Sequence, residues 1–389
     1  MKNNLFIEIA LLFIFGILTS LSLTPYNFFI INFFTFPLFY LFLNRKLKQN
    51  KNSKLFFLYG WSFGFGYFLT NLYWISISLT FDQSLKFLIP VITILIPSFL
   101  ALFYGMVSYF FKIFHTKNLI GSFFTFSLIF GIIEFVRGLI LTGFPWNLIV
   151  YSFSKQLEFL NITSIIGTYG LNLFCISLFT SPALFFLKRT KKNMIFCSFF
   201  IITAICFHVY GSWKKKIFYT SDNITYNYKF RVIGSNISLD RFYFKANTVS
   251  VIQDLIKLSS PNGSDKTIFI WPEGILPDIS QEELKEYGYL FDKNFNRNHL
   301  FVIGTNNKVF NKGSINYFNS LSIYDNELNI LDYYNKINLV PFGEFLPLEN
   351  ILKKIGLKTL TNNYQSFSKG KKREIIKIKN QKFTLKILP

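Results

Sequence analysis

Three side chains in the second half of this 389-residue chain could do chemistry together: Glu273 in "IFIWPEG", and Lys336 and Glu344 in "NKINLVPFGEFLP". Glu273 follows an apolar run and a proline, so its carboxylate should emerge from a rigid turn just beyond a buried strand. Lys336 ends another strand-like run, and Glu344 stands in a loop bounded by proline and glycine. A carboxylate removed from bulk water can serve as a general base. An ammonium beside it can stabilise an oxyanion and keep the carboxylate charged. Either residue type alone at a strand end is usually a solvated surface charge; the combination is what points to proton transfer.

These side chains must be held by elements, and from about residue 227 onward the pattern is one of short strands and helices. "KFRVIGSNI" reads as a buried strand, "FKANTVSVIQDLIKL" (244–258) has helical apolar spacing, and "KTIFIWPEG" (266–274) is a strand ending in a turn. A helix is expected around 280–293, followed by strands at "HLFVIGT" (299–305), "YFNSLSIYD" (317–325), "LNILDYYNK" (328–336) and "KFTLKILP" (382–389). Alternating strands and helices with adjacent hairpin-like strands imply a layered α/β or α+β domain.

The first half is different. The chain is 51% hydrophobic with mean hydropathy +0.34, too apolar for an ordinary soluble protein. Apolar runs of roughly spanning length, about 20 residues, occur near 5–24, 27–43, 55–79, 87–111, 119–141, 158–187 and 194–212. Seven transmembrane helices are therefore expected, and the length and flanks of the first run argue against a cleavable signal peptide.

Orientation follows from the loops. Arg45, Lys46, Lys48, Lys51, Lys54, Lys112, Lys117, Lys188, Arg189, Lys191 and Lys192 fall on one side together with Lys2; the other side has only Lys86, Arg137 and Lys155 before the last span. The basic excess puts the N-terminus in the cytoplasm. After seven crossings, everything from about Trp213 lies outside it.

The net charge of +21 divides between the halves. In the first it reflects the loop bias; in the second it is scattered, with a cluster at "KGKKREIIKIKNQK" (369–382), which favours a basic face near anionic lipid over a nucleic-acid patch. The only cysteines, Cys175, Cys197 and Cys206, lie within expected spans, so neither a disulfide framework nor a metal cluster is offered.

Two polar marks interrupt the apolar half. In "IIEFVRGLILTGFPWN" (132–147), Glu134 and Arg137 share a helix face, and ionisable groups at membrane depth usually pair or line a cavity. They read either as a structural ion pair or as part of a lipid-binding mouth formed with the "TGFPWN" turn. In "GFGYFLTNLYWISISLT" (64–80), early glycines allow close helix packing, and Tyr73 and Trp74 suit an interface.

The ordered motifs "WPEGILP", "GTNNK", "YFNSLSIYD" and "YYNKINLVPFGEFLP" resemble the nitrilase (carbon–nitrogen hydrolase) superfamily. Joined to "FLTNLYWISISLT" and "EFVRGLILTGFPWN" in a multi-span first half, they resemble bacterial apolipoprotein N-acyltransferases over nearly the whole chain. The resemblance implies a multi-span α-helical membrane domain (1–213, about seven helices) followed by a partial αββα nitrilase-like sandwich (214–389) on the periplasmic side of the bacterial inner membrane. It implies transfer of an acyl chain from a phospholipid to the N-terminal cysteine amine of a diacylated apolipoprotein, through a thioester and without cofactor, metal or nucleic acid. By motif, Glu273 takes the place of the general base, Lys336 that of the oxyanion-stabilising lysine and Glu344 that of the glutamate that positions it. A site of this kind should open toward the bilayer that holds its substrates.

The family nucleophile is a cysteine just after the strand that here reads "KFTLKILP", and no cysteine follows Cys206. The chain is therefore expected to be incomplete at its C-terminus and inactive as it stands. The alternative is a non-catalytic remnant or pseudoenzyme that binds lipid or lipoprotein. Smaller departures are Gly234 in place of a usual glutamine, and Tyr243 where the family tends to have tryptophan.

Overall fold

The computed structural model describes residues 2–49, 52–81, 83–140, 143–221, 228–235, 247–276, 279–311, 314–341, 343–347, 366–372, 375–380 and 383–387. Tyr243 lies outside the described residues. The chain forms two units, Met1–Asp222 and Asn223–Pro389.

The first unit is helical: α1 (Lys2–Ser20), α2 (Asn32–Lys48), α3 (Ser53–Leu72), α4 (Ile89–Phe114), α5 (Leu119–Arg137), the short α6 (Leu157–Leu160), α7 (Thr163–Thr180), α8 (Pro182–Leu187) and α9 (Lys191–Thr220). Side-chain oxygens start several of them by accepting orphan backbone N–H groups: Asn52 from Lys54, Asn118 from Ile120 and Thr190 from Asn193. Among the described residues, four segments are long and apolar enough to cross a membrane: Lys86–Phe114, Leu119–Arg137, Thr163–Leu187 and Lys191–Thr220. The three other expected spans correspond to α1, α2 and α3. At 17 residues α2 is shorter than the roughly 20 a span needs. The apolar run at 55–79 is divided, because α3 stops at Leu72 and a 3₁₀ segment, Tyr73–Phe81, carries the chain on.

Close backbone approach holds this unit together. A Cβ on Gly16 would lie 2.0 Å from the Phe63 carbonyl and one on Gly66 2.1 Å from that of Phe13, so α1 and α3 can touch only through glycine. Between the helices sits a fully buried aromatic core that includes Phe36, Phe39, Phe63, Phe126 and Phe130. Phe39 stacks on Phe63 with centroids 4.3 Å apart, and Tyr104 meets Phe130 edge-on at 4.8 Å. On α9, Ile195, Phe199, Ile202, Ile205 and Val209 are exposed, as on a helix that meets hydrocarbon.

The second unit is built on a five-stranded sheet in the order β1 (Lys229–Val232), β2 (Thr267–Trp271), β3 (His299–Asn311), β4 (Ser314–Tyr324), β5 (Ile330–Asn335). The first three strands are parallel and the last three antiparallel. The β1–β2 crossover carries α10 (Thr248–Ser259), and α11 (Gly288–Phe291) precedes β3. Strand β2 alternates between two cores: Phe269 and Trp271 meet Ile252, Leu255 and Phe291 on one face, while Ile268 meets Leu300, Val302 and Ile376 on the other. Ile376 belongs to a two-stranded antiparallel ribbon of β6 (Ile376–Asn380) and β7 (Phe383–Ile387).

Two expectations change. The helix expected around 280–293 is a 3₁₀ turn, Glu283–Tyr287, followed by the single turn α11. "KFRV" is a strand, but an exposed one: β1 pairs with β2 at the rim of the sheet, leaving Phe230 and Val232 in the open. Valine and phenylalanine favour burial, but an edge position removes the neighbour that would supply it.

Candidate active site

Glu273, Lys336 and Glu344 come together although 71 residues separate the first from the last. Each arrives by its own element. Strand β2 ends at Trp271, buried and donating from its indole N–H to Ser259 Oγ at 3.0 Å. Pro272 then stops the ladder, and Gly274, at φ +63°, takes a left-handed turn that glycine adopts at little cost. Glu273 is delivered at that corner, directly above β3. A Cβ on Gly304 of β3 would meet the Glu273 Cα at 2.5 Å, so a glycine there is what lets the turn sit down on the strand.

Lys336 follows β5 by one residue and extends its ladder, its N–H donating to the Asn319 carbonyl of β4 at 2.8 Å. Glu344 sits in a self-closed loop. Its backbone N–H donates to the Val340 carbonyl, and the Val340 N–H donates back to Glu344 Oε2, both at 2.8 Å. Residues 366–370 strap this corner through backbone N–H donors: Phe367 to the Glu344 carbonyl at 2.7 Å, Ser368 to that of Tyr317 at 2.6 Å, and Gly370 to that of Lys336 at 2.9 Å.

The three charges form one network. Lys336 Nζ lies 3.0 Å from Glu273 Oε1 and 2.9 Å from Glu344 Oε1. The Glu273 side chain is 61% exposed and that of Glu344 only 12%, with Lys336 at 29% between them. Glu273 therefore faces whatever enters the site, while Glu344 backs the lysine from inside. Partial burial would push the Glu273 carboxyl up, but hydrogen bonds from Lys336 and Asn319 outweigh it and hold the group below the ordinary carboxylate range. Burial would likewise lower the Lys336 ammonium, but Glu344 and Glu273 together hold it above its ordinary value. The Lys336 side chain thus bridges the Glu273 and Glu344 side chains.

One residue was missed in the sequence. Asn319 of β4 donates from Nδ2 to Glu273 Oε1 and to Glu344 Oε1, each at 2.6 Å. It stands inside the quoted motif "YFNSLSIYD", and an uncharged amide in mid-strand gives no signal of its role without the register that sets it opposite the two carboxylates.

The cysteines are elsewhere: Cys175 is buried on α7, and Cys197 and Cys206 lie on α9, all in the first unit. Among the described residues no cluster of His, Cys, Asp or Glu could hold a metal ion.

The polar mark of the first unit is a buried ion pair. Arg137 Nη2 donates to Glu134 Oε2 at 2.8 Å, with both side chains sealed from solvent. Nη1 donates to the carbonyls of Phe144 and Trp146 at 2.7 and 2.9 Å, so the cation pins the "GFPW" turn to the end of α5. Trp146, half-exposed, stacks on Trp74 with centroids 5.6 Å apart.

The family model described as "Apolipoprotein N-acyltransferase N-terminal domain" matches residues 15–181. Along nearly its whole length the chain is similar to apolipoprotein N-acyltransferases: that of Rhodopseudomonas palustris is 28% identical, covering 94% of this chain and 70% of the relative. Those of Brucella melitensis and Brucella suis are each 25% identical, covering 97% of this chain and 72% of the relative. Both comparisons liken the chain to one family, the apolipoprotein N-acyltransferases.

Proposed function

We propose that this chain supplies the base and the oxyanion-stabilising cation of a site that moves an acyl chain from a phospholipid to the N-terminal amine of a diacylglyceryl-cysteine lipoprotein. The observation that carries this reading is the Lys336 ammonium lying within 3.0 Å of Glu273 and Glu344 at once, in a chain similar to apolipoprotein N-acyltransferases. Glu273 is the base, Lys336 the oxyanion donor, and Glu344 the group that holds the lysine in place.

The chemistry is ping-pong. Glu273 takes the proton of a thiol as its sulfur attacks the ester carbonyl of the lipid, and the N–H of Lys336 not used by the carboxylates donates to the oxyanion. As the ammonium turns toward that oxyanion its hold on Glu273 loosens, so the carboxylate gains proton affinity at the moment it must accept a proton. Collapse breaks the ester C–O bond, and the proton on Glu273 passes to the departing lysophospholipid oxygen. In the second half the lipoprotein amine attacks the thioester, Glu273 takes its proton, and the thiol leaves with a proton returned. A base of this kind contributes about 10²–10⁴-fold, and removal of one oxyanion donor costs about 10²–10³-fold.

Residues 223–389 contain no cysteine, and the three in the helical unit lie on α7 and α9. The thiol in this proposal comes from outside residues 1–389, and by family resemblance it follows the strand β7. The same observation favours a second reading, a non-catalytic protein that keeps the charged site to bind lipid or lipoprotein. In either case the fold assigned to residues 214–389 is a partial nitrilase-like αββα sandwich. The protein would be multi-pass in a bacterial inner membrane, with its N-terminus cytoplasmic and its second unit periplasmic.

The test joins residues 1–389 to the part of the Rhodopseudomonas palustris relative that follows its match to β7, and assays acyl transfer from labelled phospholipid to a diacylglyceryl-cysteine peptide. Transfer that falls at least about 100-fold in Glu273→Gln supports the enzyme; phospholipid binding without transfer supports the second reading.

A further inference from the structure

The two carboxylates of the site divide their oxygens unequally. Glu273 Oε1 accepts from Lys336 Nζ at 3.0 Å and from Asn319 Nδ2 at 2.6 Å. Glu344 Oε1 accepts from the same two donors, at 2.9 and 2.6 Å. Glu344 Oε2 is taken by the Val340 N–H at 2.8 Å. Of the four oxygens, only Glu273 Oε2 has no partner among the described residues, and it belongs to the most exposed side chain of the three.

The donors are as fully accounted for. A primary amide has two N–H groups and an ammonium three. Both N–H groups of Asn319 are spent on the two Oε1 atoms, and Lys336 keeps one in reserve. Ammonium and amide thus bridge the same pair of oxygens from two sides. This closes a ring in which two anions approach one another without facing each other unscreened. Asn319 also accepts the Lys336 backbone N–H on its own carbonyl at 2.8 Å, so one residue fixes both the backbone of the lysine and the oxygens its side chain must meet.

We infer that Asn319 is a positioning residue: together with Lys336 it ties down one oxygen of each glutamate, so that Oε2 of Glu273 alone is offered to a substrate proton and Glu344 is withheld from acting as a base. The inference rests on the acyl-transfer reading and deepens it by assigning the proton to one atom. Among the described residues, the charged groups that contact the Glu273 side chain or its network are Lys336 from the end of β5 and Glu344 from its loop; β3 brings the Gly304 backbone against the Glu273 Cα, and β4 presents Asn319. An aspartate at 319 could not donate and would add a third negative charge. An alanine would leave each Oε1 with the lysine alone. Both changes remove hydrogen bonds that favour the ionised carboxyl, so both raise the pH at which Glu273 takes a proton, the aspartate further than the alanine.

The test is carbodiimide coupling of an amine to the carboxyls of the full chain in detergent micelles, across a pH series, with each glutamate followed by peptide mass spectrometry. The quantity read is the pH midpoint for Glu273, which changed access alone does not move. In Asn319→Ala it should rise by about half a unit or more and in Asn319→Asp by more again. Glu283, paired with Lys308 away from the site, is the internal reference and should keep its midpoint. An unchanged Glu273 midpoint in both variants, with Glu283 also unchanged, overturns the inference. If the alanine variant loses the fold, shown by Glu283 moving to the value of a free carboxyl, Asn319→Ser decides by the same criterion, since it keeps one donor and should give a smaller rise. The assay uses neither lipid nor thiol, so its outcome is separable from that of the acyl-transfer experiment.

Discussion

At the scale of single residues the site is governed by one shared cation. Glu273 is held below its ordinary value, so the part of the fold's stability that it supplies is present above the unfolded carboxyl range and is lost as pH falls through the lowered folded value. Lys336 is held above its ordinary value; its contribution is complete below the unfolded ammonium range and is lost as pH rises through the raised folded value. Between those limits the charge state is fixed, and thermal unfolding of the protein should be insensitive to pH on account of this pair. Lys336→Met should remove both limbs and raise the protonation midpoint of Glu273, and carbodiimide labelling across pH reads that rise. A Glu273 midpoint equal to that of the parent would mean that the 3.0 Å contact has no electrostatic weight in solution.

At the scale of elements, the placement of the charges depends on residues that carry none. Gly304 leaves room for the Glu273 corner on β3, where a methyl group would lie 2.5 Å from the Glu273 Cα. Gly304→Ala should cost about 1–3 kcal/mol, as overpacking does, and move Glu273 off Lys336; a melt read by tryptophan fluorescence and the Glu273 labelling midpoint check the two effects separately. Much of this was legible in the sequence. The turn after "IFIW" and the strand ends follow from apolar runs broken by Pro and Gly, whereas the joint role of Glu273 and Lys336 was implied by the family resemblance. Asn319 was not legible, because its role exists only in the β4–β5 register that brings it under both carboxylates. The exposure of β1 and the shrinkage of the 280–293 helix to single turns were hidden for a similar reason: local composition does not say which strand ends at a sheet rim. In the first unit the spacing of Glu134 and Arg137 does announce their pairing, and their burial sets its weight. Glu134→Ala, which leaves Arg137 an unpaired buried cation, should destabilise the helical unit by about 3–5 kcal/mol, whereas replacing both by apolar residues of similar volume should cost far less. Unfolding of the single and double variants in detergent distinguishes the cases, and equal losses would count against an ion-pair role.

At the scale of the whole molecule, the open quantity is the number of crossings. Among the described residues four segments have the length and apolarity to span, and α1, α2 and α3 are the helices whose status decides the topology. With all seven expected crossings and a cytoplasmic N-terminus the second unit lies outside; an even number would leave it inside. A cysteine placed at the exposed Ser264 in a cysteine-free background should react with an impermeant maleimide in intact spheroplasts. Reaction only after lysis would reverse the orientation. The most direct measurement of the central claim, that Glu273 and Lys336 work as base and oxyanion donor in acyl transfer, is the rate of N-acylation of a diacylglyceryl-cysteine peptide by residues 1–389 joined to the relative's cysteine-bearing continuation. Glu273→Gln and Lys336→Met should each lower that rate by at least about 100-fold, while a rate that survives both changes within a few-fold would contradict that assignment.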